Sequence, residues 1–341
     1  MKPAMRQMTE CTGDIGNSVA LPDTVEQAGV QEKNVCLLCG SELEATLTGL
    51  SDNRLGTPGT YEIHRCVRCG LEQTYPLLSS SDFKKLYEDH YNFGGEKGTA
   101  YTRLREWFLS SRAYRLWLAL DGDNAFCTRT GAGRLLDVGC NEGRGLQAYR
   151  HNGFAAEGLD LNRTAARTAR ELGHTVHEVP LEDFQPEAPY SVVVLSNVLE
   201  HTLDPKRMLL DAARILESHG QVWISCPNSQ SWLRWLFGRS WINWHVPFHI
   251  SHFSPRNLRQ LLAETGFAEI KMRQSTPAAW VASSILVSVF ARPGRATRQL
   301  RNPMLFAAVM LLVRVLLFPV LFLGNRLGSG DCLIATARKI C

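Results

Sequence analysis

Beyond Arg134 the chain falls into short apolar runs separated by stretches in which apolar residues recur at helical spacing. The runs at 135–139, 156–161, 175–179, 190–197, 221–226 and 268–273 have the length and continuity of buried strands. The segments starting at 143 and covering 163–172, 205–218 and 255–265 read as helices between them, and Ser254 followed by Pro255 supplies a cap and a first-turn residue for the last. This alternation predicts an α/β fold, a Rossmann-like doubly wound sheet with helices on both faces and ligands at the carboxyl ends of its strands. A strand-like run at 333–339 closes the chain, after an insertion with two apolar stretches at 278–291 and 304–323. Upstream, Ser81 to about Leu120 reads as helices rich in Tyr and Trp, with Ser81 or Asp82 as cap. The first 33 residues are mixed polar and are expected to be disordered.

The first run ends in Leu135-Leu136-Asp137-Val138-Gly139-Cys140-Asn141-Glu142-Gly143, and the second ends in Gly158-Leu159-Asp160. A buried strand running into a glycine-bearing turn and then a helix lets backbone N–H groups approach a ligand, and an acid closing the next strand can hold a ribose diol. The cofactor is therefore expected to be a nucleoside. A dinucleotide fits poorly, because Gly139, Gly143 and Gly145 do not follow G-x-G-x-x-G and Asp137 would repel a pyrophosphate, whereas it can hold an amino group. The stretch resembles motif I of the class I S-adenosylmethionine (SAM) dependent methyltransferases, with Asn141 in place of the middle glycine. That resemblance implies SAM as cofactor and Asp137, Gly139, Cys140, Gly143, Asp160 and Leu161 around it, Asp160 being the ribose-binding acid. It also places Asp183, in the loop after the third strand, near the adenine; an acid in a loop with no ligand is the alternative.

The fourth strand ends as Ser196-Asn197-Val198-Leu199-Glu200-His201, which resembles the N-V-L-E-H stretch of methyltransferases acting on small molecules. Asn197 and His201 are thereby placed to line the cofactor and acceptor site. Further on, the segment from Trp241 to Ser254 holds His245, His249 and His252, in a spacing that matches no known zinc site. It resembles the P-x-H-x-x-x-F-S segment of the saccharide-modifying group, in which a histidine supplies a base. His249 is the matching residue and the expected base, with His201 in reserve; a buried histidine packed in a lid is the alternative. Pro247 and Phe248 replace the H-E of the C-methylating H-E-H pattern, so that chemistry is not carried over.

Two C-x-x-C-G pairs, Cys36 with Cys39 and Cys66 with Cys69, each fit a tight knuckle whose glycine accepts unusual backbone angles. Four thiolates on two knuckles close a tetrahedron around a structural Zn²⁺ with no open position. The remaining cysteines are scattered, which is reducing-compartment usage rather than a disulfide framework. The divisions expected are a disordered start (1–33), an N-terminal zinc ribbon (34–76), a helical linker (77–130), a SAM-binding core (131–275), a C-terminal apolar helical insertion (276–326) and the closing strand of the core (327–341).

A net charge of +4 on 341 residues is too mild to argue for nucleic acid. The first residues lack the apolar core of a secretory signal, so a cytosolic domain is expected. Arg292, Arg295, Arg298 and Arg301 lie between the two apolar stretches without an acid among them, a pattern suited to lying in a membrane interface. Helices that cover a hydrophobic substrate or pack on the core are the alternative. Together the features resemble class I methyltransferases with an N-terminal zinc-binding domain that modify saccharides, which implies methyl transfer to a saccharide or other small molecule, a lipid-linked or envelope glycan among the candidates. A lipid or quinone methyltransferase, a zinc-ribbon RNA methyltransferase and a noncatalytic SAM-fold protein stay open.

Overall fold

The computed structural model describes residues 34–79, 81, 82, 86 and 111–340. The expected disordered start and most of the helical linker lie outside them. The larger sheet has seven strands: β4 (Arg134–Val138), β5 (Ala155–Leu159), β6 (Val176–His177), β7 (Tyr190–Ser196), β8 (Leu216–Pro227), β10 (Phe267–Ser275) and β11 (Cys332–Lys339). Their order is β10-β11-β8-β7-β4-β5-β6. Pairings from β6 to β8 are parallel, and β11 runs antiparallel between β8 and β10.

Side-chain alternation divides this sheet between two cores. Leu136, Val193, Leu195, Val222 and Ile224 face one core with Leu209 and Ala212 of α4 (Pro205–Ile215) and Leu258, Leu261 and Leu262 of α6 (Pro255–Glu264). Leu135, Val192, Val194 and Trp223 face the other with Leu146 and Tyr149 of α2 (Arg144–His151) and Ala166 and Ala169 of α3 (Arg163–Glu171). Ser254 caps α6 through Asn257 N–H, as the sequence predicts. The helix expected over 205–218 stops at Ile215, because Leu216 is already a buried strand residue opposite Tyr190 and a bulge then restores register at Val192 and Gln221. The third strand is shorter than expected, two residues instead of 175–179.

The second sheet joins two distant parts of the chain. Strands β1 (Leu43–Leu50), β2 (Tyr61–Cys66) and β3 (Glu72–Tyr75) carry the cysteine knuckles, and the fourth strand, β9 (Ser251–His252), comes from the histidine segment. Its pairing sets Glu72 opposite His252 and Gln73 opposite Ser251. The other side of this sheet buries Leu50, Tyr61 and Ile63 against Trp241, Trp244, Val281, Val313 and Leu321.

The insertion divides differently from the expectation. Helix α7 (Ala278–Phe290) buries Val281, Ala282, Leu286 and Val287, so one face of the first apolar stretch is core while its last turn, with Val289 and Phe290, is exposed. The second stretch is two helices, α8 (Pro303–Leu316) and α9 (Phe318–Arg326), bent by 68° where Pro319 opens the new helix. Arg314 is 7% exposed, pairs with Asp121 at the end of α1 (Arg112–Asp121) and donates to the carbonyls of Leu120 and Thr276. Among the described residues no single helix is long and apolar enough to cross a membrane.

Candidate active site

Strand β4 delivers Asp137 to the carboxyl end of the sheet and then turns sharply through Gly139, Asn141 and Gly143, all at positive φ (72°, 50° and 80°). Asn141 thus adopts the left-handed conformation that its side chain tolerates better than most. Backbone N–H groups of Gly139 and Cys140 both donate to Leu159 O, clamping the turn to β5. Asp160 follows that strand, and its two oxygens accept from Asn141 N–H (2.7 Å) and Asn162 N–H (2.8 Å). The carboxylate is therefore fixed in place, and each oxygen keeps acceptor capacity for a diol.

Asp137 is 6% exposed, and burial, followed by the neighbouring Asp160 charge, pushes its carboxyl up to about 8. Burial raises Asp160 as well, partly countered by its two backbone donors. Burial and the Asp160 charge make ionisation of Asp137 costly until a cation arrives, which suits an ammonium or sulfonium group. Room beside Asp137 comes from Gly145, where a Cβ would stand 2.8 Å from the Asp137 carboxylate. Asn197 follows β7 at φ 54°, its side-chain oxygen buried and without a hydrogen-bond partner among the described residues. An orphaned acceptor beside a glycine cradle and two acids fits a polar cationic nucleoside. Leu161 is 67% exposed beside Asp160. Cys140, in contrast, packs its sulfur into the core against Gly158, so only its backbone belongs to the turn. Asp183 stands exposed in the turn after β6.

The histidine segment reaches the same end of the sheet. A one-turn helix, Leu199–His201, places Glu200 and His201 beyond β7, and Ile250 N–H donates to Glu200 O. The His201 and His249 rings meet edge to face at 4.6 Å, and His245 lies 4.9 Å from His249. His201 Nδ1–H donates to Phe248 O (3.0 Å) and His249 Nδ1–H to Asn243 O (2.8 Å), because a carbonyl can only accept. Burial, opposed by the Phe248 bond, holds His201 down to about 4, and burial with His201 and His252 nearby holds His249 well below its ordinary range. Both imidazoles are neutral at pH 7 and weak proton acceptors on their own. Strand β3 supports them from behind: Thr74 donates from its hydroxyl to His249 O and from its N–H to Ile250 O. Gly145 was read only as part of the glycine spacing, and Glu200, Thr74 and Asn243 were not singled out as site residues by the sequence reading. For Glu200 the signal was an acid inside an apolar run.

The four knuckle cysteines converge, with Sγ atoms 3.5 Å (Cys36 to Cys69) and 3.4 Å (Cys39 to Cys66) apart and all four within 4.8 Å of one another. Sulfurs 2.3 Å from a tetrahedral zinc are about 3.8 Å apart, so the set matches that ion.

Residues 105–271 match the family model described as "Methyltransferase domain". The match takes in the core strands β4 to β8 and the histidine segment. A probable S-adenosylmethionine-dependent methyltransferase of Mycobacterium tuberculosis is 30% identical over 146 residues, covering 40% of this chain and 50% of the relative. A ubiquinone biosynthesis O-methyltransferase of Maricaulis maris is 29% identical over 151 residues, covering 40% and 59%. The chain thus spans about half the length of the curated relatives it matches. A solved SAM-dependent methyltransferase of Thermotoga maritima aligns with 70% of this chain and 99% of its own, at 16% identity and a TM-score of 0.43. Within the matched region, the glycine turn, Asp137, Asp160 and Asn197 share one end of the sheet with His201 and His249.

Proposed function

We propose that this chain binds SAM at the carboxyl ends of β4 and β5 and transfers its methyl group to an acceptor held beside the histidine segment. The observation that carries the reading is the pairing of buried Asp137 with half-buried Asp160, at the carboxyl ends of adjacent parallel strands across a glycine turn. Asp137 holds the amino group, Asp160 the ribose hydroxyls, and Gly139, Gly143 and Gly145 leave room for close approach. Bound SAM supplies an activated methyl on a positive sulfur. The protein aligns the acceptor, excludes water and governs the acceptor's proton, for which His249 is the first residue proposed and His201 the second. The ribbon, with Zn²⁺ on Cys36, Cys39, Cys66 and Cys69, braces the histidine segment through β3 and β9.

The acceptor proposed is a saccharide or other small molecule, lipid-linked or part of an envelope glycan, presented at a membrane surface. A lipid or quinone acceptor is the second reading, favoured by the names of the ubiquinone relatives and by the exposed apolar face of α8 and α9. Calorimetry tests the cofactor assignment: Asp160→Ala weakens SAM binding by about 1–3 kcal/mol, the scale of charge-assisted hydrogen bonds. Equal affinity in mutant and parent overturns it. His249→Ala cuts turnover by about 10²–10⁴ with SAM affinity kept, and an unchanged rate removes His249 from the chemistry.

A further inference from the structure

Glu200 is 1% exposed, and neither of its carboxylate oxygens has a hydrogen-bond partner among the described residues. A buried carboxylate without a donor is costly, and native proteins keep one where an ion or a proton completes it. One ligand atom each from Glu200, His201 and His249 lies within 4.8 Å of the other two. The histidines are already arranged as metal ligands are: a backbone carbonyl takes Nδ1–H of each ring, which fixes the tautomer and leaves Nε2 as the basic nitrogen. Neutral imidazole is the form that ligates, and burial keeps both rings in it.

We infer that Glu200, His201 and His249 form a site for one divalent transition cation, distinct from the cysteine knuckles, which holds an oxygen of the acceptor. The donor set of two imidazoles and a carboxylate suits Zn²⁺, Fe²⁺ or Mn²⁺ and leaves positions open for that oxygen. Ligands at 2.0–2.2 Å from such an ion are about 3.4 Å apart, so side chains whose ligand atoms lie within 4.8 Å close in by at most about 1.4 Å on loading. Arg54, whose charge also acts on His201 and His249, adds to the attraction for an anionic oxygen. A hydroxyl on the cation loses its proton to solvent water. Its oxygen then bonds the methyl carbon as the carbon–sulfur bond breaks, and sulfur leaves as a neutral thioether. The inference rests on the methyl-transfer reading for its purpose and makes the reaction an O-methylation. It also explains how weakly basic imidazoles govern the acceptor's proton.

Cobalt(II) alone, titrated into metal-stripped full-length protein, tests the site. Thiolate-bound Co²⁺ shows intense near-ultraviolet charge transfer, whereas Co²⁺ on nitrogen and oxygen shows only weaker visible bands. The parent is expected to take two equivalents, one of each kind. Glu200→Gln, which keeps the shape of the side chain, and His249→Ala are each expected to weaken the second by at least about tenfold while the thiolate band is retained as a control for folding. A parent that takes only the thiolate equivalent, or variants that both keep the second at parental affinity, overturn the inference. SAM calorimetry on the same samples separates the two readings: SAM binding without the second cobalt removes only the cation. The second cobalt without SAM binding removes the methyl-transfer reading and leaves the metal site.

Discussion

At the scale of single residues, Asp137 sets the terms on which a cofactor enters. Its carboxyl is held up to about 8 by burial first and Asp160 second, far above the ordinary 3.8. The ligand-free folded chain therefore keeps a proton that the unfolded chain releases. That contribution to stability is present below about pH 4 and is lost as pH rises through about 8. A cationic ligand favours the carboxylate, so SAM binding should expel this proton between about pH 5 and 8, and affinity should climb over that interval and then level. Calorimetry in buffers of different ionisation heat reads the proton directly. Asp137→Asn should abolish the release and weaken SAM, yet raise the melting temperature of ligand-free protein at pH 8. Proton-neutral binding by the parent at pH 6–8 would contradict the assignment.

At the scale of elements, the decisive pairing is β3 with β9. It makes the cysteine sheet a wall of the acceptor side, with Asn257 of α6 donating to Cys69 O and Arg234 of α5 (Trp232–Phe237) bridging Glu72 and the Trp244 ring. Loss of the proposed zinc should loosen β1 to β3 and, through Thr74, let the His249 segment drift. Metal removal by chelation, or Cys66→Ser, is expected to lower turnover by about 10²-fold, the scale of a 1 Å misplacement, and to speed amide exchange at Thr74 and Ile250. SAM affinity should change far less, because β4 and β5 belong to the other sheet and pair with none of β1 to β3. Chelated protein with full turnover and protected amides would reduce the ribbon to an appendage.

At the scale of the whole molecule, one face is unlike the rest. Leu311, Leu312, Val315 and Leu316 of α8 and Val320, Phe322 and Leu323 of α9 are between 47% and 68% exposed. No acidic residue occurs between Glu269 and Asp331, and Arg292, Arg295, Arg298 and Arg301 are all exposed. Apolar burial and headgroup attraction would add on an anionic bilayer, each arginine contributing about 1 kcal/mol. The buried Arg314 takes no part, since it pins α8 to α1. In vesicle flotation the protein should rise with anionic lipid at low salt, and should stay down in high salt, with neutral lipid, or when the four arginines are replaced by Gln. Protein that stays down with anionic vesicles at low salt refutes the docking face.

The strands and helices of the core, the glycine turn and the positions of Asp137 and Asp160 were legible in the chain itself, because each is written in a local period or a short motif whose geometry follows from its own residues. The knuckles were legible for the same reason. Three matters were decided only by packing. Thr74 and His249 meet across 175 positions, a partnership that no local period records. Helix α7 is as apolar as α8, yet α7 buries Val281, Ala282, Leu286 and Val287 whereas α8 turns only Val313 and Arg314 fully inward and leaves Leu311, Leu312, Val315 and Leu316 to solvent, since composition states what a face prefers and not whether another element arrives to cover it. Glu200 read as part of a motif until the fold closed apolar groups around it and brought two imidazoles to its side. Burial and proximity, which gave that carboxylate its chemistry, exist only once distant segments have met.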